Sequence, residues 1–166
     1  MEIRPVQDVD APILADLLNE IIARGGTTAW EEPFTPEVLV EQMLTGHDVI
    51  CCFVAQDDQG SLGGFQSFLR SGSLPDGVGD IATFSRVGGV QKGTGSRLFA
   101  VTRRAATEKG LVAINATIRA DNVGGLAFYR GLGFTDHGIS RAVPLRSGTP
   151  IDRVSKRYVL YQPPKV

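Results

Sequence analysis

Two kinds of strand connection stand side by side in the middle of this chain, and together they restrict the sheet it can form. Val49–Gln56 and Leu62–Arg70 are apolar, strand-like runs joined by Asp57-Asp58-Gln59-Gly60, a turn short enough to make a hairpin. Directly after them come a strand from Asp80 to about Val87, a glycine-bearing loop, a helix from about Thr94 to Lys109, and a strand over Val112–Ile118. That second unit is strand–helix–strand. A chain holding both belongs to the α/β or α+β class with a mixed sheet, not a uniformly parallel one. The flanks fit the same plan. Ile3–Val6 reads as a first strand, and Asp10 precedes Ala11-Pro12 as a cap with proline in the first turn. Ile13, Leu14, Leu17, Leu18, Ile21 and Ile22 form a helical stripe that ends at Gly25-Gly26. Thr35-Pro36 opens a second helix carrying Val38, Leu39, Gln42 and Met43, and 71–79 is a loop. Asn122–Arg130 is a short helix, and the segments from Phe134 and over Val154–Leu160 are the last two strands.

The 166 residues suit a single domain spanning 1–166 with a sizeable core. A net charge of -1 gives no global field that would favour nucleic acid or a membrane. Cys51 and Cys52 are neighbours inside an apolar strand, so they point to opposite faces and read as buried small residues, not a disulfide. The opening MEIRPVQDVD has no apolar signal stretch, and no run approaches the roughly 20 apolar residues of a membrane span. The expectation is a soluble, cytoplasmic protein without a metal.

The stretch VQKGTGSRLFA (90–100) places Lys92, Gly93 and Gly95 between a strand and a helix, the setting of a phosphate cradle. A dinucleotide fingerprint would need a third glycine where Leu98 stands. A triphosphate loop would start at Gly88 and reach Gly93, but Thr94 then occupies the lysine position. Two readings stay open: a pyrophosphate held by backbone amides at the helix start, with Ser96 and Lys92 assisting, or a turn that only starts a helix.

Further on, DNVGGLAFYRGLGF (121–134) supplies Asn122, Gly125, Tyr129, Gly133 and Phe134. Together with the glycine loop and the intervening strand LVAINATI, it resembles the GNAT family of acetyl-CoA-dependent N-acetyltransferases. That family joins a strand, a Gln/Arg-x-x-Gly-x-Gly/Ala loop and a helix to a later Asn-x-x-small-x-x-x-Tyr helix ending in Gly-Phe. One position departs: Val90 stands where the family has Gln or Arg, with Gln91 one residue later. NEIIARGGTTAWEEPFTPE (19–37) and DRVSKRYVL (152–160) further resemble the phosphinothricin acetyltransferase-like branch.

The resemblance implies a mostly antiparallel sheet of six to seven strands flanked by helices. A splayed parallel pair, Phe84–Val87 beside Asn115–Ile118, would form the cofactor site. It implies acetyl-CoA as cofactor, with Phe84, Arg86, Val87, Gln91, Lys92, Gly93, Thr94, Gly95, Ser96, Asn122 and Tyr129 as its contacts. It implies acetyl transfer to the primary amine of a small, amino-acid-like acceptor. An alkyl amine is mostly protonated near neutrality, so it must lose a proton, and the departing thiolate gains from an acid nearby. Tyr129 matches the family position for that acid, and Asn122 the position that holds the pantetheine or a bridging water. Asp80, thirteen positions before Gly93, is the candidate base, where the narrower branch places a Glu; a solvated strand-edge carboxylate is the alternative. His47 and His137 are weaker candidates. Thr27, Thr28, Trp30, Phe34, Phe68 and Arg70 are the candidate acceptor contacts, with Glu31 and Glu32 able to attract an amine. A guanidinium could hold an acceptor carboxylate in a two-point contact, Arg70 first of all; Arg141, Arg146 and Arg153 in the tail are further candidates, with surface charge as the alternative. Competing readings are a non-catalytic acyl-CoA sensor and a protein or peptide N-acetyltransferase. A homodimer paired through the last strands would match the family's habit.

Overall fold

The computed structural model describes residues 1–88 and 91–161. Seven strands form one sheet: β1 (Glu2–Pro5), β2 (Val49–Gln56), β3 (Leu62–Leu69), β4 (Val78–Ser85), β5 (Ala113–Arg119), β6 (Thr135–Pro144) and β7 (Pro150–Val159). Their order is β1-β2-β3-β4-β5-β7-β6. Every neighbouring pair is antiparallel except β4 and β5, which run parallel. The crossover between those two is α3 (Thr94–Glu108); the other helices are α1 (Ala11–Arg24), α2 (Pro36–Leu39) and α4 (Val123–Gly131). The sheet is therefore mixed and mostly antiparallel, in agreement with the reading of hairpin and crossover units.

Several details differ from the sequence reading. The helix opened by Thr35 is regular only to Leu39, then widens into a π-type turn over Val40–Leu44 that still buries Met43 and Leu44. β4 begins at Val78, inside the expected loop, because Val78 and Gly79 pair with Ala113 and Ile114. Asp10 makes no side-chain cap on α1. Its carboxylate instead takes both terminal nitrogens of Arg4 at 2.9 Å and the Gln7 amide at 2.8 Å, which pins β1 to the start of α1.

The two faces of the sheet are unlike. Over β2, β3 and β4, α1 and the α2 turn bury Leu14, Leu18, Leu39 and Met43 against Val54, Phe65 and Phe84. On the opposite face, α3 and α4 bury Phe99, Tyr129 and Phe134 against Phe68, Ile81, Ile114 and Ile118. Strand alternation explains the split along β5. Ile114, Ala116 and Ile118 face α3 and α4, while Asn115 turns to the other face and bonds Ser155 and Arg157 of β7. No residue of β5, β6 or β7 joins the α1 cluster, so that face stays polar beside α1.

The stretch after α1 has almost no regular structure and is held by side chains. Asn19 of α1 donates to the Phe34 carbonyl (2.9 Å) and accepts from its amide (2.7 Å), as a paired strand would. Phe34 itself is buried in the α1 core. Replacing Asn19 with Ala leaves both backbone groups unpaired. The expected loss is roughly 1–3 kcal/mol of stability, read from the urea midpoint; an unchanged midpoint would show that the clamp does not hold the stretch.

Candidate functional site

The site begins where the sheet comes apart. β4 and β5 pair through Val78–Ala113, Gly79–Ile114 and Asp80–Asn115, and no further. Beyond Asp80, β4 continues to Ser85 and β5 to Arg119 without a partner between them. The facing edge of β4 thus presents free backbone donors and acceptors. A cleft of about 1300 Å³ runs through this gap. It is lined by Asp80, Thr83, Phe84, Val87, Gln91–Ser96, Arg119, Tyr129 and Arg153 among others.

The glycine end is the start of α3. Gly93 is the helix cap in a left-handed conformation (φ 86°), with open space where a side chain would stand. Among the described residues, the Gly95 and Ser96 amides meet no acceptor, so the helix start offers free N–H groups and its positive dipole end. Thr94 lines the cleft through its backbone, since its hydroxyl turns back to the Gln91 carbonyl at 2.6 Å. Gly95 is needed for a reason the sequence did not show. A Cβ there would lie 2.7 Å from the Phe128 ring, so its absence lets α3 and α4 pack. Val90 lies outside the described residues.

Tyr129 projects from α4 and is fully buried but for its edge on the cleft. Its hydroxyl is 2.9 Å from Thr83 Oγ1, which accepts a 2.8 Å hydrogen bond from Gln66 Nε2. Gln66 donates to Thr83, and where Thr83 in turn donates to Tyr129 the phenolic hydrogen is free to point into the cleft. Burial pushes the phenol well above its usual pKa, opposed by the Thr83 bond and reinforced by Asp80. Tyr129 therefore keeps its proton at ordinary pH. Thr83 and Gln66 were not among the residues singled out by sequence; their only signal is the two-residue alternation that puts Thr83 on the Tyr129 side of β4.

Asp80 sits at the last β4–β5 pair. Burial raises its pKa, opposed by the Asn115 hydrogen bond and the Arg157 charge. Asn115 is a fully engaged hub. Its amide donates to Asp80 (2.8 Å) and Thr117 (3.1 Å), and its oxygen accepts from Ser155 (2.6 Å) and Arg157 (2.8 Å). The carboxylate is thus a held group at the parting of two strands, not a solvated edge.

A strap closes over the cleft. The Thr27 carbonyl accepts from Asn122 Nδ2 (2.9 Å), and the Thr28 carbonyl from Arg119 (3.2 Å). Asn122 also caps α4 through Gly125 N–H (2.9 Å), so both ends of its amide are engaged. Gly125 must lack a Cβ, which would lie 2.5 Å from Asn122. Glu31 accepts from the Arg146 amide and Glu32 pairs with the Arg146 guanidinium, which ties the strap to the β6–β7 turn. Those two carboxylates are occupied with Arg146 instead of waiting for an amine.

Several expected contacts lie elsewhere. Phe68 is wholly buried under α3. Phe34 packs in the α1 core, touching the cleft only through Trp30 at a ring distance of 6.4 Å. Arg70 is exposed and reaches the His47 carbonyl. Arg86 folds onto the Leu62 carbonyl at 2.9 Å. His47 and His137 are exposed and do not line the cleft. Arg141 pairs with Asp152. Arg153, one of the arginines of the tail, does face the cleft. Among the described residues no helix is long and apolar enough to cross a membrane, and no three His, Cys, Asp or Glu side chains gather as a metal site.

Comparison places this geometry in a known fold. No family model matches the chain, and no curated protein matches it in sequence. Solved structures do match. A candidate phosphinothricin N-acetyltransferase is 24% identical over 97% of this chain and 99% of its own, with a TM-score of 0.84. A GNAT superfamily phosphinothricin acetyltransferase from Sinorhizobium meliloti, in complex with acetyl-CoA, is 20% identical over 95% of this chain and 87% of its own, with a TM-score of 0.83. Ribosomal-protein-alanine N-acetyltransferase from Brucella melitensis is 18% identical over 96% and 99%, with a TM-score of 0.81. The chain has the GNAT fold.

Gly95→Ala should lower stability by about 1–3 kcal/mol through overpacking. Adding Phe128→Leu should return most of the loss in urea denaturation. No recovery in the double variant would show that Gly95 answers to something other than Phe128.

Proposed function

We propose that the protein transfers an acetyl group from acetyl-CoA to the primary amine of a small acceptor. One observation carries the reading: a single cleft joins the open amide end of α3 to Asp80 and Tyr129 through the gap between β4 and β5. When bound, acetyl-CoA supplies an acyl group activated as a thioester. The residues present fit it. The amides of Gly95 and Ser96, with Lys92 beside them, suit its pyrophosphate. The unpaired edge of β4 over Ile81–Ser85 suits the amide-bearing arm, as an added strand would. The Tyr129 hydroxyl offers a hydrogen to a departing sulfur. Because its pKa lies far above that of a thiol, it serves better by donating a hydrogen bond than by giving up the proton outright. Asp80 takes the proton that the acceptor amine must lose, directly or through a water. The strap tied by Glu32 and Arg146 covers the acceptor side, which favours a small molecule over a peptide chain needing an open groove. The likeness to phosphinothricin acetyltransferases supports an amino-acid-like acceptor.

Two variants and a pH profile test this. With acetyl-CoA and a panel of amines, thiol release should depend on the amine. Tyr129→Phe should lower kcat by about 100-fold with coenzyme A affinity nearly unchanged; equal losses in both would remove the phenol's role. Coenzyme A binding with no turnover on any amine would make the protein a sensor. Asp80→Asn should abolish the acid limb of the kcat/KM profile, which in the native protein lies above the ordinary Asp range because burial raises this carboxyl.

The sign for stability runs opposite to activity. A raised folded pKa means Asp80 supports the fold fully below its unfolded pKa, and that support is lost as pH rises through the folded pKa. At a pH above the folded pKa the ionised carboxylate is thus a burden, and Asp80→Asn should raise Tm there while activity falls. A lower Tm at that pH would contradict the burial account.

A further inference from the structure

Among the described residues, the cleft is lined by one arginine without a partner. Three arginines line the cleft: Arg24, Arg119 and Arg153. Arg24 pairs with Glu20. Arg119 makes a two-point contact with Asp121, at 2.9 and 2.7 Å. Arg153 has neither a carboxylate nor a side-chain hydrogen-bond partner among the described residues. Its register makes this costly. Arg153 lies directly across from Arg119 on β5 and Ser140 on β6, so two guanidinium groups share one face, an arrangement that is destabilising unless charge is supplied. Arg119 has its compensation in Asp121. Arg153, half-buried, has none.

We infer that Arg153 anchors an anionic group of the acceptor, so that the substrate is a primary amine carrying a carboxylate or similar anion several bonds away. This rests on the acetyl-transfer reading of the same cleft. Asp80 and Arg153 lie on one face of the sheet. Asp80 pairs with Asn115, and Arg153 with Arg119, four residues further along β5, or about 13 Å at the rise of a strand. The flexible arginine stem spans part of that distance, and the acceptor spans the rest. Its amine meets Asp80 at the parting of the strands, and its anion meets the guanidinium fork, whose planar donors match a carboxylate in two-point contact. Arg70, a candidate acceptor contact from sequence, does not line the cleft and bonds the His47 carbonyl.

Matched pairs of probes isolate the anion: β-alanine with ethylamine, 6-aminohexanoate with hexylamine, and L-lysine with cadaverine. The acid of each pair should show the higher kcat/KM in the thiol-release assay. Arg153→Ala should raise KM for the acids by about 10- to 100-fold, the worth of a charge-assisted hydrogen bond, with kcat little changed and the plain amines unaffected. Arg153→Lys should recover part of the loss. Plain amines turned over as well as their acids, or a loss in Arg153→Ala shared by both members of a pair, would overturn the proposal. Calorimetry of the same probes on the protein with coenzyme A separates this claim from catalysis. Acids that bind to the native protein but not to Arg153→Ala uphold the anchor even if no probe is acetylated. Absence of any acid-specific binding overturns the anchor and leaves the cofactor reading to its own test.

Discussion

The parting of β4 from β5 is the feature on which the rest of the site depends. A parallel pair joined by α3 could have stayed zipped to the ends of both strands. It stops at Asp80–Asn115, and everything chemical gathers at that point. The gap frees the edge of β4, lets a cleft pass from the α3 side of the sheet to the α1 side, and leaves Asp80 and Tyr129 close enough for the carboxylate's charge to bear on the phenol. The strand alternation then sorts the two sides. Apolar residues of β5 support α3 and α4, while Asn115, Ser155 and Arg157 build a polar floor where an acceptor would lie.

Burial sets the protonation of both candidate groups. The phenol is held neutral deep in the α4 packing, backed by Thr83 and Gln66. The carboxyl is raised by the same cause but checked by Asn115 and Arg157, which keep the charged form within reach. One group retains a proton and the other can accept one, a division that follows from phenol against carboxyl while burial moves both in the same direction. The strap over residues 27–34 adds closure without any secondary structure of its own. Its order comes from Asn19, Asn122, Arg119 and Arg146 reaching it from four separate elements.

Much of the fold was legible in local pattern. Hairpin and crossover spacings fixed a mixed sheet, and the α1 stripe gave its buried face at Leu14, Leu17, Leu18 and Ile22, though Ile13 is exposed. The parts that were not legible depend on pairing across distance. The start of β4 at Val78 is set by β5, which no local pattern around Gly77 reveals. Asn115 reads in sequence as one more strand residue, and only the convergence of β4, β5 and β7 makes it a hub. Phe68 and Arg70 looked suited to an acceptor cleft because they precede the long loop, yet Phe68 is packed beneath α3 and Arg70, just past the end of β3, is exposed and bonds the His47 carbonyl. The last strand was expected from Val154, whereas β7 starts at Pro150 and so includes Arg153, which lines the cleft. Gly95 was noted for its backbone but is required by the Phe128 ring.

A crystal structure with coenzyme A bound tests the central claim most directly. The account predicts the pyrophosphate on the Gly95 and Ser96 amides, the pantetheine arm hydrogen-bonded along Ile81–Ser85 in place of the missing strand, and the sulfur within hydrogen-bonding reach of the Tyr129 hydroxyl. A cofactor bound outside the gap, or a gap closed by continued β4–β5 pairing, would contradict it.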